Sequence, residues 1–135
     1  MNYKELKKAY SDKMGEIMTS NKVFFAFSVD QFNEAIKENG YTKEDKFVHL
    51  GAGGYIAKEN LDNFLKDNQE AKSWYQKQYK AIKNEKAELE KAILQELLNY
   101  ECFYSGDLTE VLAIFSDEKD TVKQVYKKHI DVYVD

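Results

Sequence analysis

Residues 47–57 read F-V-H-L-G-A-G-G-Y-I-A, two short apolar stretches either side of G-A-G-G. Strand-length runs of Phe, Val, Tyr and Ile on both sides of a glycine cluster predict a β-hairpin or a bulged crossing. The glycines supply the positive φ values that such a turn needs, and Gly53 and Gly54 are the candidates for them. Upstream, Lys22–Phe27 (K-V-F-F-A-F) is short, aromatic and apolar, and predicts a further buried strand. Everything else in the chain has helical spacing. The expected fold class is therefore α+β: helices, one of them long, packed around a small antiparallel sheet.

Working outward, Tyr3, Leu6, Tyr10, Met14 and Ile17 recur at steps of three and four, predicting a first helix that ends near Thr19–Asn21. Ser28, with Gln31 three residues later, is a capping-box pattern, and the helix it opens stops at Asn39-Gly40. After the hairpin, a short helix carries Leu61, Phe64 and Leu65 on one side and ends near Asp67–Asn68. A long helix follows over about 70–100, with Tyr75, Tyr79, Ile82, Leu89, Ile93, Leu97 and Tyr100 as its apolar stripe. In Lys83–Glu88 only Ala87 is apolar, so the helix either bends there or crosses solvent. Ser105-Gly106 interrupts the pattern. Asp107 with Glu110 opens a helix carrying Leu108, Val111, Leu112 and Phe115, and Ser116 is placed to cap a last helix with Val122, Val125, Tyr126, Ile130 and Tyr133 inward.

The chain has 135 residues and is 43% hydrophobic, enough to close a core as one domain spanning 1–135. No run of about 18 apolar residues is present to cross a membrane. The charged start, M-N-Y-K-E-L-K-K, lacks the apolar region of a secretory signal. A single Cys cannot form an internal disulfide, which fits a reducing cytoplasm. Net charge is −4, and every basic residue is Lys. Without the Arg fork that reads guanine and phosphate, sequence-specific nucleic-acid binding is not expected.

G-A-G-G lacks the third glycine of a dinucleotide fingerprint, and no Gly-Lys-Ser/Thr leads into a helix. It reads as a turn first and as a partner loop second. His49 and His129 have no second ligand at helical spacing, so no metal is expected. Cys102 reads as a small buried filler and not as a nucleophile. Residues 96–107 hold more polar groups than a helix end needs. Glu96 and Asn99 are about one turn apart, Glu101 follows, and Tyr104 and Asp107 flank the break. These side chains either anchor the next helix or face a ligand or partner.

E-L-L-N-Y-E-C-F-Y-S-G-D-L-T-E-V-L (96–112), F-F-A-F-S-V-D-Q-F (24–32) and L-G-A-G-G-Y-I (50–56) together resemble small proteins of bacterial phages and mobile elements. The resemblance spans most of the chain, and Asn99, Glu101, Tyr104, Gly106 and Asp107 match its pattern. Tyr100 stands where relatives carry His, and Ser105 where they carry Thr. The missing His argues against a metal or acid–base role for the segment here. The resemblance implies a genomic setting in which inhibitors of host defence are common. The expected function is non-enzymatic, without cofactor: masking of a partner protein, such as a defence effector, in the manner of an anti-CRISPR protein. The alternative is a small enzyme or metabolite-binding domain using Glu96–Asp107. An apolar stripe longer than one domain covers also predicts a homodimer.

Overall fold

The computed structural model describes residues 1–133. Its elements in order are α1 (Tyr3–Ser20), β1 (Phe24–Phe25), α2 (Val29–Glu38), β2 (Phe47–Gly51), β3 (Gly54–Ala57), α3 (Lys58–Lys83), α4 (Lys86–Asn99), α5 (Cys102–Ser105), α6 (Thr109–Ile114) and α7 (Lys119–Tyr133). The fold is α+β, with seven helices and a three-stranded antiparallel sheet among the described residues. Backbone contacts gather into two compact units. One joins residues 1–7 to 77–135; the other is residues 8–76.

The sheet belongs to the unit of residues 8–76. Its strand order is β1-β3-β2, with Phe24 opposite Tyr55 and His49 opposite Tyr55 on the other side. Side chains alternate across a strand, so these three rings share one face. Tyr55 stacks on Phe24 at 5.7 Å and on His49 at 4.8 Å. Phe32 of α2 closes the cluster, 5.1 Å from Tyr55 and 5.3 Å from Phe47. The aromatic stretch predicted as a strand over 22–27 pairs only at Phe24–Phe25, although the Ala26 amide still donates to the Gly53 carbonyl. Lys22 is held at φ 54 and directs the chain out of α1.

Both readings of G-A-G-G hold: β2 and β3 form a hairpin, and the ladder is bulged between His49 and Gly51. The positive φ values fall on Gly51 (91°), Ala52 (49°) and Gly53 (79°), not on Gly54. Two consecutive positive values at Ala52-Gly53 make the two-residue loop whose twist matches paired strands. Gly54 is needed for space. A Cβ there would stand 3.3 Å from the Gly51 carbonyl oxygen and from the Phe25 ring. Gly53 is constrained twice, because the Phe27 ring lies where its Cβ would project. Gly53→Ala is therefore expected to cost more than the roughly 1 kcal/mol of left-handed strain alone. Ala52→Asn, a better left-handed residue, should stabilise by several tenths of a kcal/mol or more. Urea unfolding of both variants checks the pair.

The helix stop expected at Asp67–Asn68 is absent; α3 runs unbroken from Lys58 to Lys83. Both residues that resemble a stop are otherwise engaged. Asn68 Nδ2 donates back to the Phe64 carbonyl at 2.7 Å, inside the helix. Asp67 Oδ2 accepts from Asn21 and Asn63 at 3.1 and 3.2 Å, and Asn63 also donates to Asn21 at 2.8 Å. Asn21 is buried, and this network satisfies its amide while joining the end of α1 to α3. Leu65, predicted inward, is 55% exposed, whereas Asp67 and Asn68 are half-buried. The real break comes at Asn84–Glu85, within the weak stretch, where Glu85 turns extended.

In the other unit the core is Tyr3, Leu6, Ile82, Leu89, Ile93, Leu97, Phe103, Val111, Phe115, Val122 and Val125, all buried. α7 starts at Lys119, not at the predicted Ser116 cap. The Glu118 carbonyl accepts the first helical bond from Val122, and Glu118 and Asp117 meet the Lys83 ammonium at 2.7 and 3.6 Å. That ion pair draws residues 116–118 into a turn against the end of α3 and delays the helix.

Candidate functional site

The segment 96–107 divides into roles instead of forming one cluster. Glu96 lies on the buried face of α4, its side chain only 3% exposed, and accepts from Lys7 Nζ at 2.9 Å. α4 ends at Asn99, and Glu101, at φ 53, turns the chain sharply into the single turn of α5. That turn drives Cys102 and Phe103 inward and leaves Asn99, Glu101 and Tyr104 in solvent. Phe103 stacks between Tyr126 at 5.2 Å and Tyr133 at 5.1 Å, fixing α5 on α7. Gly106, at φ 75, closes α5 with its amide on the Cys102 carbonyl.

The spacing predicts Asp107 as the cap of α6, but the cap position falls on Leu108, whose carbonyl accepts the first helical bond from Leu112, and Asp107 closes a turn one residue earlier. Its Oδ1 accepts from the Thr109 amide at 2.9 Å and from the Thr109 hydroxyl at 2.6 Å. The Thr109 hydroxyl and then its amide hold the Asp107 carboxyl below the usual aspartate range. A depressed folded-state value means the stabilisation is present at neutral pH and is lost as pH falls below the unfolded value, through the folded one. Asp107→Asn should therefore lower Tm slightly at pH 7, and the difference from wild type should shrink as pH falls below the ordinary aspartate range. A pH series of melting curves checks this.

Burial first, then the nearby Glu110 and Asp107 charges, pushes the Cys102 thiol up, so it stays protonated and unreactive. Among the described residues no three or more His, Cys, Asp or Glu gather into a metal-binding group.

What the segment does build is a groove of about 330 Å³, lined by Leu97, Leu98, Glu101, Phe103, Tyr104 and Tyr133. Of the predicted residues it unites Glu101 and Tyr104. It leaves Glu96 inside the core and Asn99 and Asp107 outside the lining. Gly53 and Gly54 belong to the unit of residues 8–76, where they seat Phe27 and Phe25. Leu98 and Phe103 carry no motif signal of a site in the sequence, and Tyr133, expected on the inner face of the last helix, is 44% exposed. The one legible sign is that Leu98, an apolar residue directly after Leu97, falls off the buried stripe.

The lining thus combines apolar Leu97, Leu98 and Phe103 with one carboxylate, Glu101, and the exposed ring of Tyr104. The chain belongs to the family of unknown function DUF7659, which matches over residues 3–132. Comparison with curated proteins and with solved structures gives no match. No helix among the described residues is long and apolar enough to cross a membrane.

Proposed function

We propose that this protein acts without catalysis, by masking a surface of another protein, and that the groove at the α4–α5 end is the masking face. The observation that carries this is Tyr104, 93% exposed at the lip of a groove whose Leu98 and Tyr133 are also exposed. Tyr is favoured at interface hot spots because it buries a large rigid area and retains a polar tip. Glu101 in the groove and Asp107 just beyond it favour a partner surface carrying Lys or Arg. In its most specific form the reading is an anti-defence protein of phage or mobile-element origin, anti-CRISPR-like, occupying the basic nucleic-acid channel of an effector in the bacterial cytoplasm. The rival, a metabolite site on Glu96–Asp107, is weakened by the separate employment of Glu96 in an ion pair and Asp107 in a turn with Thr109.

The test is co-elution with purified defence effector complexes and inhibition of their cleavage. Tyr104→Ala should weaken binding by about 10–100-fold, a hot-spot loss, with Tm unchanged because the ring is exposed. Failure to bind or inhibit any effector would remove the anti-defence reading. Binding that Tyr104→Ala leaves intact would remove the groove.

A further inference from the structure

The outer edge of the sheet carries an inference independent of the groove. β2 is an edge strand, paired only with β3. The Lys58 amide donates to the Lys46 carbonyl at 2.9 Å, which makes 46/58 a hydrogen-bonded pair. By antiparallel alternation 48/56 is the next such pair. The amides and carbonyls of Phe47 and His49 therefore point away from β3, and no other described segment pairs with them. Edge strands usually carry an inward charge, a Pro or a Lys that discourages pairing. Phe47–Gly51 has none of these, and the bulge lies beyond His49.

We propose that β2 is a self-association edge, on which a second copy of this chain pairs its own β2 antiparallel about Val48. The edge is self-complementary in that register. Phe47 and His49 of one copy exchange backbone bonds with His49 and Phe47 of the other, and Val48 meets Val48. Lys46 falls opposite Leu50, so no like charges face each other. On the aromatic face, His49 already stacks on Tyr55, which stacks on Phe24. His49 is exposed, so its outer side is open to Phe47 of the second copy. The pairing extends the aromatic row across the junction and joins two three-stranded sheets into one of six. A second copy fits better than an arbitrary strand because both the hydrogen-bond register and the aromatic row repeat under the two-fold.

The experiment is sedimentation and amide hydrogen exchange on the full chain up to about 0.5 mM, since so small an interface associates weakly. The expected result is a monomer–dimer equilibrium in which Phe47 and His49 amides gain protection as concentration rises. The Val48 amide, bonded to β3, should be protected throughout. His49→Pro removes one outward amide and leaves the internal ladder intact; it should be monomeric with unchanged helical circular dichroism. Should that variant not fold, His49→Lys keeps every backbone group and should weaken the dimer severalfold. A monomer at 0.5 mM would overturn the proposal. So would a dimer whose Phe47 and His49 amides exchange as in the monomer, or one that persists in the folded variants. None of these outcomes bears on whether Tyr104 binds a partner.

Discussion

Phe115→Ala is expected to cost about 3–5 kcal/mol, the largest single loss available in the chain. Phe115 closes α6 and is fully buried. Its ring lies 6.1 Å from that of Tyr3 and 6.2 Å from that of Tyr79, which are 6.4 Å from each other. Removing it leaves a cavity between two large rings held on different helices, and neither ring can collapse into the space without losing the other. Phe115→Leu keeps much of the volume and should cost about half as much. Urea unfolding followed by far-ultraviolet circular dichroism measures both. A loss below about 1 kcal/mol for the Ala variant would mean that the site repacks freely, contrary to the close packing usual in protein interiors.

The second large effect lies in the ion pair between Lys7 and Glu96. Lys7→Ala strands a carboxylate that is only 3% exposed, and breaking a buried pair from one side costs about 3 kcal/mol or more. The value should lie at the low end, because the Lys7 side chain is 39% exposed and water can reach part of the site. Replacing both partners with apolar residues, Lys7→Met with Glu96→Leu, should recover most of the loss, since desolvation and attraction then disappear together. The double-mutant cycle reads this directly. If both single variants were harmless, Glu96 would not be the internal anchor of α1 on α4 and would be free for the ligand role that its place in the sequence suggested. A stabilised double variant would show that the pair serves specificity of packing and not stability.

Much of the local structure was legible in the residues themselves because its causes are local. Ser28 caps α2 by accepting from the Gln31 amide at 3.1 Å, and Gln31 answers by accepting from the Phe27 amide at 2.8 Å. Asn39 ends that helix and Gly40 takes φ 78. Gly106 ends α5, and Asp107 holds the turn that leads into α6 by accepting from Thr109. Each of these rests on partners within four positions, so spacing and residue type suffice. The same holds for the hairpin, readable from two strand-length apolar runs either side of G-A-G-G.

What only the tertiary structure decided depends on partners far apart in the chain. Glu96 read as part of a polar surface cluster, yet it is buried because Lys7, 89 positions away, meets it there. Asp67 and Asn68 had the composition of a helix end, but Asn21, 46 positions back, gives Asp67 a partner and lets α3 continue. Ala52 takes a positive φ that nothing in an alanine advertises, because the hairpin's closure demands it. The groove beside Tyr104 exists only where α5 and α7 bring Phe103 and Tyr133 together. Periodicity says which face of a helix is apolar and local caps say where it ends. Whether a polar side chain is buried or exposed depends on the element packed against it, and the fold supplies that element.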